Sequence, residues 1–277
     1  MKIGVLIFAT DYSIAMDELG SAVEERGFDS LFVTEHSHIP AARQTPWPGG
    51  ADLPKEYSHC LDPFVALSFA AAVTKKIKLG TGICLLPQRD TITTAKSVAS
   101  LDHMSNGRFL FGIGGGWNKE EMAHHGVKYE TRFARMGEQV LAMKSLWQEE
   151  EAQFHGEHVN FEASWAYPKP VQTPNPPILL GGETDHTLRR IVEYCDGWIP
   201  RARNGFDAKE NIARLAKFAA EAGRDMSTLS VNIFGAAANK QQLTEYEQAG
   251  VTSAILPLPS AGSDKVLSIL DRYAELL

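Results

Sequence analysis

Eight short apolar runs, each followed by a stretch with helical spacing, alternate along the 277 residues of this chain. Ile3–Phe8 leads to Ser13–Arg26, and Asp29–Val33 leads through a long loop to Pro63–Thr74. Ile77–Gly82 precedes Thr91–Met104, and Phe109–Ile113 precedes Arg132–Trp147. Ile178–Leu180 is followed by Thr184–Cys195, and Gly197–Ile199 by Ala208–Ala222. Leu229–Phe234 precedes Lys240–Gln248, and Ser253–Leu256 precedes Asp264–Leu276. Runs so continuously apolar suit strands covered on both faces. Strands joined by helices of this length are parallel, with right-handed crossovers. Eight such units predict an α/β fold, a (β/α)₈ TIM barrel with insertion loops, and one domain over residues 1–277. A doubly wound sheet is the alternative, although eight unbroken units are unusual for it.

Ligands in such folds lie beyond the carboxyl ends of the strands. The stretch from Lys76 to Glu121 holds one complete strand–helix–strand unit, and each of its strands runs into glycine there. Ile77–Leu79 breaks at Gly80 and Gly82, and Phe109–Ile113 ends in Gly114-Gly115-Gly116. Within the intervening helix, Ile92, Ala95, Val98, Ala99 and Met104 are expected near one face. Two segments exceed ordinary barrel loops: His36–Asp62, with TPWPGGADLP, and Glu149–Pro177. The latter holds FHGEHVNFE, a candidate hairpin, and the proline-rich PKPVQTPNPP. Loops of this length are usually lids or interface elements.

A formal net charge of −7 argues against nucleic acid or anionic membrane as the main partner. No apolar run approaches membrane length, and the first residues suit a buried strand better than a signal peptide. Cys60, Cys84 and Cys195 form no CxxC, as befits reduced thiols and a cytoplasmic location.

Polar groups at the predicted strand ends cluster after the second strand, at Thr34, Glu35, His36 and His38. Glycines cluster after the third to fifth, at Gly82, Gly114–Gly116 and Gly181-Gly182. No lysine stands where a Schiff-base enzyme needs one, since Lys2 and Lys78 are at the wrong ends. His36-Ser37-His38 has no histidine facing it from another strand end, so no metal is expected. Glu120, Glu121, His124 and His125 are read as a solvated helical face. GIGGGW lacks the GxGxxG spacing, and there is no P-loop. Exposed backbone N–H groups at two adjacent strand ends still make a candidate phosphate site.

The order and spacing of several segments resemble those of the bacterial luciferase-like flavin and deazaflavin oxidoreductases, specifically the coenzyme F420-dependent class. They are GFDSLFVTEH (Gly27–His36), Asp62–Asp90, Ala95–Glu121, Pro168–Gly182 and CDGWIP (Cys195–Pro200). The resemblance implies a homodimer of barrels that binds F420, or alternatively FMN, and a small-molecule substrate. It places Thr34, Glu35, His36, Gly82, Ile83, Gly114, Gly115, Gly181 and Gly182 around the cofactor, with a non-prolyl cis peptide at Gly82–Ile83. His36 and Glu35 are the implied catalytic pair, with Glu35 orienting His36 or hydrogen-bonding the cofactor ring. Histidine is the natural proton carrier near neutral pH. Trp47 and Trp117 are candidates to pack on cofactor or substrate. Flavin-binding relatives can offer an arginine near the Gly115 position, and this chain has none there, which favours F420. The alternatives are an FMN-dependent monooxygenase fed by a separate reductase and a non-catalytic flavin- or F420-binding protein.

Overall fold

The computed structural model describes residues 1–50, 52–203 and 206–277. In chain order its strands are β1 (Lys2–Ile7), β2 (Ser30–Val33), β3 (Lys78–Thr81), β4 (Phe109–Ile113), β5 (Ala152–His155), β6 (Asn160–Ser164), β7 (Ile178–Gly181), β8 (Gly197–Ile199), β9 (Ser230–Phe234) and β10 (Ser253–Pro257). All but β5 and β6 close into a parallel barrel in the order β1-β10-β9-β8-β7-β4-β3-β2. Gly4 pairs with Ser30 of β2 on one side and Ile255 of β10 on the other, so the sheet has no free edge. That closure rules out the doubly wound alternative; the fold is a (β/α)₈ barrel.

The helices are α1 (Met16–Glu25), α2 (Pro63–Val73), α3 (Thr91–Met104), α4 (Lys119–His124), α5 (Arg132–Gln148), α6 (Asp185–Tyr194), α7 (Ala208–Glu221), α8 (Lys240–Gln248) and α9 (Ser263–Ala274). Several start where a polar side chain takes up an orphan N–H. Asp62 accepts from Phe64 and Val65, Asp90 from Thr93, Thr184 from Thr187, and Asp207 from Glu210. Each such cap is worth about 1 kcal/mol. Inside the barrel Leu6, Phe32, Leu179, Ile199 and Ile255 pack together with Ile83, Leu110 and Phe234 against them. The interior is full at this level: a Cβ added at Gly80 would lie 2.2 Å from the Phe32 ring, and one at Gly112 would lie 1.9 Å from the Thr81 carbonyl oxygen.

The face expected for α3 is right at Ala95, Val98 and Ala99 and wrong at its two ends. Ile92 and Met104 are 49% and 76% exposed, whereas Thr91 and Thr94 are buried with Ala95, Val98, Ala99 and Leu101. The threonines can be buried because their hydroxyls are satisfied. Thr94 Oγ1 donates to Asp90 O at 2.6 Å, and Thr91 Oγ1 accepts from Gln139 Nε2 at 3.3 Å.

The expected hairpin forms as β5–β6, an antiparallel pair. Its turn is held by Glu138, which accepts from the N–H groups of Glu157, His158 and Val159. The segment after it is pinned by Asp102, a fully buried carboxylate that accepts from Val171 N–H and Gln172 N–H at 2.8 and 3.0 Å.

Candidate active site

A cavity of about 570 Å³ opens at the carboxyl ends of the strands. Its lining includes Thr34, Glu35 and His36 after β2, Gly82 and Ile83 after β3, and Gly114 to Trp117 after β4. Gly181 and Gly182 border it from β7. The sequence-predicted residues are therefore brought together around one space. A second cavity, of about 640 Å³, lies at the other end between Met1, Asp29, Lys76 and Glu247. That end of a barrel serves stability rather than chemistry.

His36 is buried, and its Nδ1 lies 2.8 Å from Glu121 Oε2. Glu121 has no exposed surface, and its Oε1 accepts from Ser37 N–H at 3.1 Å. With Nδ1 donating to the carboxylate, Nε2 remains available to a ligand in the cavity, as it has no partner among the described residues. The reading of Glu121 as part of a solvated face is thus overturned. The short helix α4 folds over the end of β2 and turns this carboxylate inward. One local signal marks it: Asn118 caps α4 and accepts from Glu121 N–H at 3.3 Å, three residues on. Its neighbour Glu120 clips the long loop above the site. The Thr45 hydroxyl, with the N–H groups of Gln44 and Thr45, brings the Glu120 carboxyl down to about 2.

Glu35 borders the cavity but does not orient His36. One of its oxygens accepts from Arg89 Nε at 2.5 Å and the other from Leu85 N–H at 2.6 Å. Arg89 continues to Asp62, the cap of α2, at 2.5 Å. Burial would lower the Arg89 pKa, but Glu35 foremost, together with Cys84 and Asp62, raises it. Glu35 therefore ties down the segment after β3. The β4 side holds the same segment through Cys84 N–H to Gly112 O and Gly114 N–H to Cys84 O. The Gly82–Ile83 peptide within it is cis, as expected.

The glycines divide into two kinds. Gly114 spends its N–H on Cys84, and a Cβ there would lie 1.9 Å from Ile83 Cδ1, so this glycine makes room for Ile83. The N–H groups of Gly115 and Gly116 have no partner among the described residues, whereas that of Gly182 faces Ile199 O at the end of the β7–β8 ladder. Gly182 sits at φ +118° just before α6. Arg132, at the start of α5, lines the same cavity. Its Nε is buried without a partner, and its guanidinium lies 4.2 Å over the Phe133 ring. No arginine is near Gly115 in sequence, but the fold supplies one from residue 132.

Aromatic rings cover the rest. Tyr57, inside the long loop and not singled out from sequence, lies 4.8 Å from Phe8, 5.1 Å from His36 and 5.7 Å from Trp47. Trp117 borders the cavity with its ring 5.8 Å from His36. Trp47 packs on Tyr57 instead. Across the mouth, Arg201 forms a two-pronged pair with Glu183 at 2.9 and 2.8 Å. Burial would raise the Glu183 pKa, but Arg201 outweighs it and lowers it.

Residues 11–255 match the luciferase-like monooxygenase family. The chain belongs to that family. It is 38% identical over its full length, and over 99% of the relative's, to the uncharacterized protein Rv0953c of Mycobacterium tuberculosis. It is 29% identical to the F420-dependent hydroxymycolic acid dehydrogenase of the same organism, over 80% of this chain and 57% of that one. Among solved structures, an F420-dependent secondary alcohol dehydrogenase in complex with an F420-acetone adduct superposes with a TM-score of 0.79. That match has 18% identity and covers 100% of this chain and 98% of the other. The monooxygenase RslO1 of Streptomyces bottropensis superposes with a TM-score of 0.76 at 19% identity and the same coverage. Both of these structures share the barrel seen here. No helix among the described residues is long and apolar enough to cross a membrane.

Proposed function

We propose that this family member is an oxidoreductase that moves a hydride between coenzyme F420 and a small organic substrate. The observation that carries the reading is the meeting, in one cavity, of a partnered proton carrier and an anion cradle. The carrier is His36 on Glu121; the cradle is the unpaired N–H groups of Gly115 and Gly116 with the orphaned Arg132 Nε. The cradle fits a phosphate-bearing cofactor. Thr34, Gly82, Ile83, Gly114, Gly115, Gly181, Gly182 and Arg132 would hold it, and the deazaflavin would supply or accept the hydride. The chain's own part is to position the substrate beneath Phe8, Tyr57 and Trp117, to exclude water, and to give or take a proton at His36 Nε2. An FMN-dependent monooxygenase is the second reading, favoured by Arg132, which supplies the phosphate partner that the sequence near Gly115 lacks. The F420-dependent relatives support the first.

Fluorescence titration of the purified protein with F420 and with FMN tests the choice. F420 is expected to bind. Arg132→Ala is expected to weaken it about ten- to hundredfold, the loss of one hydrogen bond to a charged group at about 1.5–3 kcal/mol. Tight binding of FMN alone would sink the F420 reading; binding of neither would sink the redox reading.

The exposed apolar stripe of Val65, Phe69 and Val73 along α2, with exposed Ile92 on α3, supports a homodimer across this face. Light scattering is expected to give a dimer for the native chain and a monomer for Phe69→Glu. A dimer that survives Phe69→Glu would move the interface elsewhere. Three unpaired cysteines support a cytoplasmic location.

A further inference from the structure

The contacts of His36 do not end at Glu121. Ser37 Oγ donates to Glu121 Oε1 at 3.4 Å, the longest link, and lies 2.7 Å from His125 Nε2 and 2.9 Å from His38 Nδ1. His38 Nε2 is in turn 2.8 Å from His124 Nδ1, with the two rings stacked at 5.1 Å. His124 and His125 are exposed at the end of α4. The same packing of α4 on the end of β2 that buries Glu121 thus lines up hydrogen-bonding side chains from the cavity to solvent. The rings bond to one another and to Ser37 rather than around a common centre. Among the described residues, no group of three or more His, Cys, Asp or Glu side chains is placed to hold a metal ion.

We propose that Glu121, Ser37 and His125 form a proton relay between His36 and solvent, with His38 and His124 as a side branch. The proposal rests on the oxidoreductase reading, in which a proton enters or leaves the substrate for each hydride transferred. In the oxidising direction the substrate O–H bond breaks as an N–H bond forms at His36 Nε2. The Nδ1–H bond then breaks as an O–H bond forms on Glu121 Oε2. A half-turn of the carboxyl group brings that proton to Ser37 Oγ, which takes it while passing its own proton to His125 Nε2. His125 releases a proton to water. No electron leaves the path; the pair in the broken substrate C–H bond goes with the hydride. The imidazole tautomer and the serine hydroxyl reset once product has left and water reaches Nε2. The relay lets the proton cross while substrate still blocks the cavity mouth.

His125 is suited to receive it. Partial loss of solvent around this exposed ring first, then the neighbouring His38 and Arg89, lower its pKa below the ordinary value, against the opposing pull of Glu121 and Glu35. At neutral pH its ring is therefore a proton acceptor.

The test needs neither cofactor nor substrate. In the full chain carrying ¹⁵N-labelled histidine, NMR measures the exchange of the His36 Nδ1–H with water. Ser37→Ala and His125→Gln, both changes at exposed positions, are each expected to slow that exchange at least tenfold while the His36 tautomer is retained. Unchanged exchange in both variants overturns the relay. Slowing in Ser37→Ala alone overturns His125 as the exit. Faster exchange with a changed His36 tautomer shows that Ser37 serves only to hold the pair, and it overturns the relay too. The F420 and FMN titrations of the same protein judge the redox reading separately, so the two failures are distinguishable.

Discussion

Replacing His36 by alanine is expected to lower turnover by about 10²–10⁴-fold, the usual contribution of a positioned acid or base, while F420 affinity changes only a few-fold. The imidazole borders the cavity and is held through Nδ1 by a carboxylate with no exposed surface, so its free nitrogen is directed by structure. Steady-state rates with F420 or its reduced form, over a panel of secondary alcohols and carbonyl compounds, provide the measurement. Alanine also leaves Glu121 without its ring partner, a change with its own consequences for a buried carboxylate. His36→Asn separates the two effects, because its amide can still donate to Glu121 but cannot carry a proton. Turnover restored by asparagine would assign the loss to the unpaired carboxylate. Wild-type rates in both variants would remove His36 from the reaction.

Glu35→Ala is expected to destabilise the fold by about 3–5 kcal/mol, the cost of removing one partner from a buried ion pair. The Glu35 side chain is 6% exposed and that of Arg89 22%, so solvent cannot replace the lost contact. The Leu85 N–H loses its acceptor at the same time. Urea unfolding reads the stability change as a shift in midpoint. Because Glu35 ties down the segment that carries Ile83 to the cavity, cofactor affinity is expected to fall at least tenfold as well. Glu35→Gln retains an acceptor for Leu85 and is expected to lose less of both. Full stability in Glu35→Ala would show that Asp62 alone suffices for Arg89. Full stability with lost turnover would return Glu35 to the direct catalytic role that the resemblance implies.

Local signals carried most of the architecture. Phe109–Ile113, Gly197–Ile199, Thr91–Met104 and Lys240–Gln248 have in the structure the bounds read from the chain. Apolar periodicity and capping residues act within a few positions, and so they can be read from a few positions. The gathering of Thr34, Glu35, His36, Gly82, Gly114 and Gly182 at one mouth followed from the barrel itself, since every parallel strand delivers its carboxyl end to the same side.

Partnership was not legible in the same way. His36 and Glu121 are 85 positions apart, and Glu35 and Arg89 are 54 apart. EEMAHH in a short helix has the pattern of a solvated face until that helix is laid over β2. The inward threonines of α3 were not singled out because burial tolerates a hydroxyl whose partner is nearby, and that partner is visible only in three dimensions. The eight-fold alternation by itself pointed to eight parallel βα units and to the end at which their strands deliver glycines and polar groups, because those depend on local pattern and strand direction. Closure into a barrel was decided by the pairing of β1 with β10. Which carboxylate holds His36, which one anchors the segment of Ile83, and which arginine borders the same cavity were decided only by tertiary packing. Such choices rest on distances of a few ångströms between segments that the chain order keeps far apart.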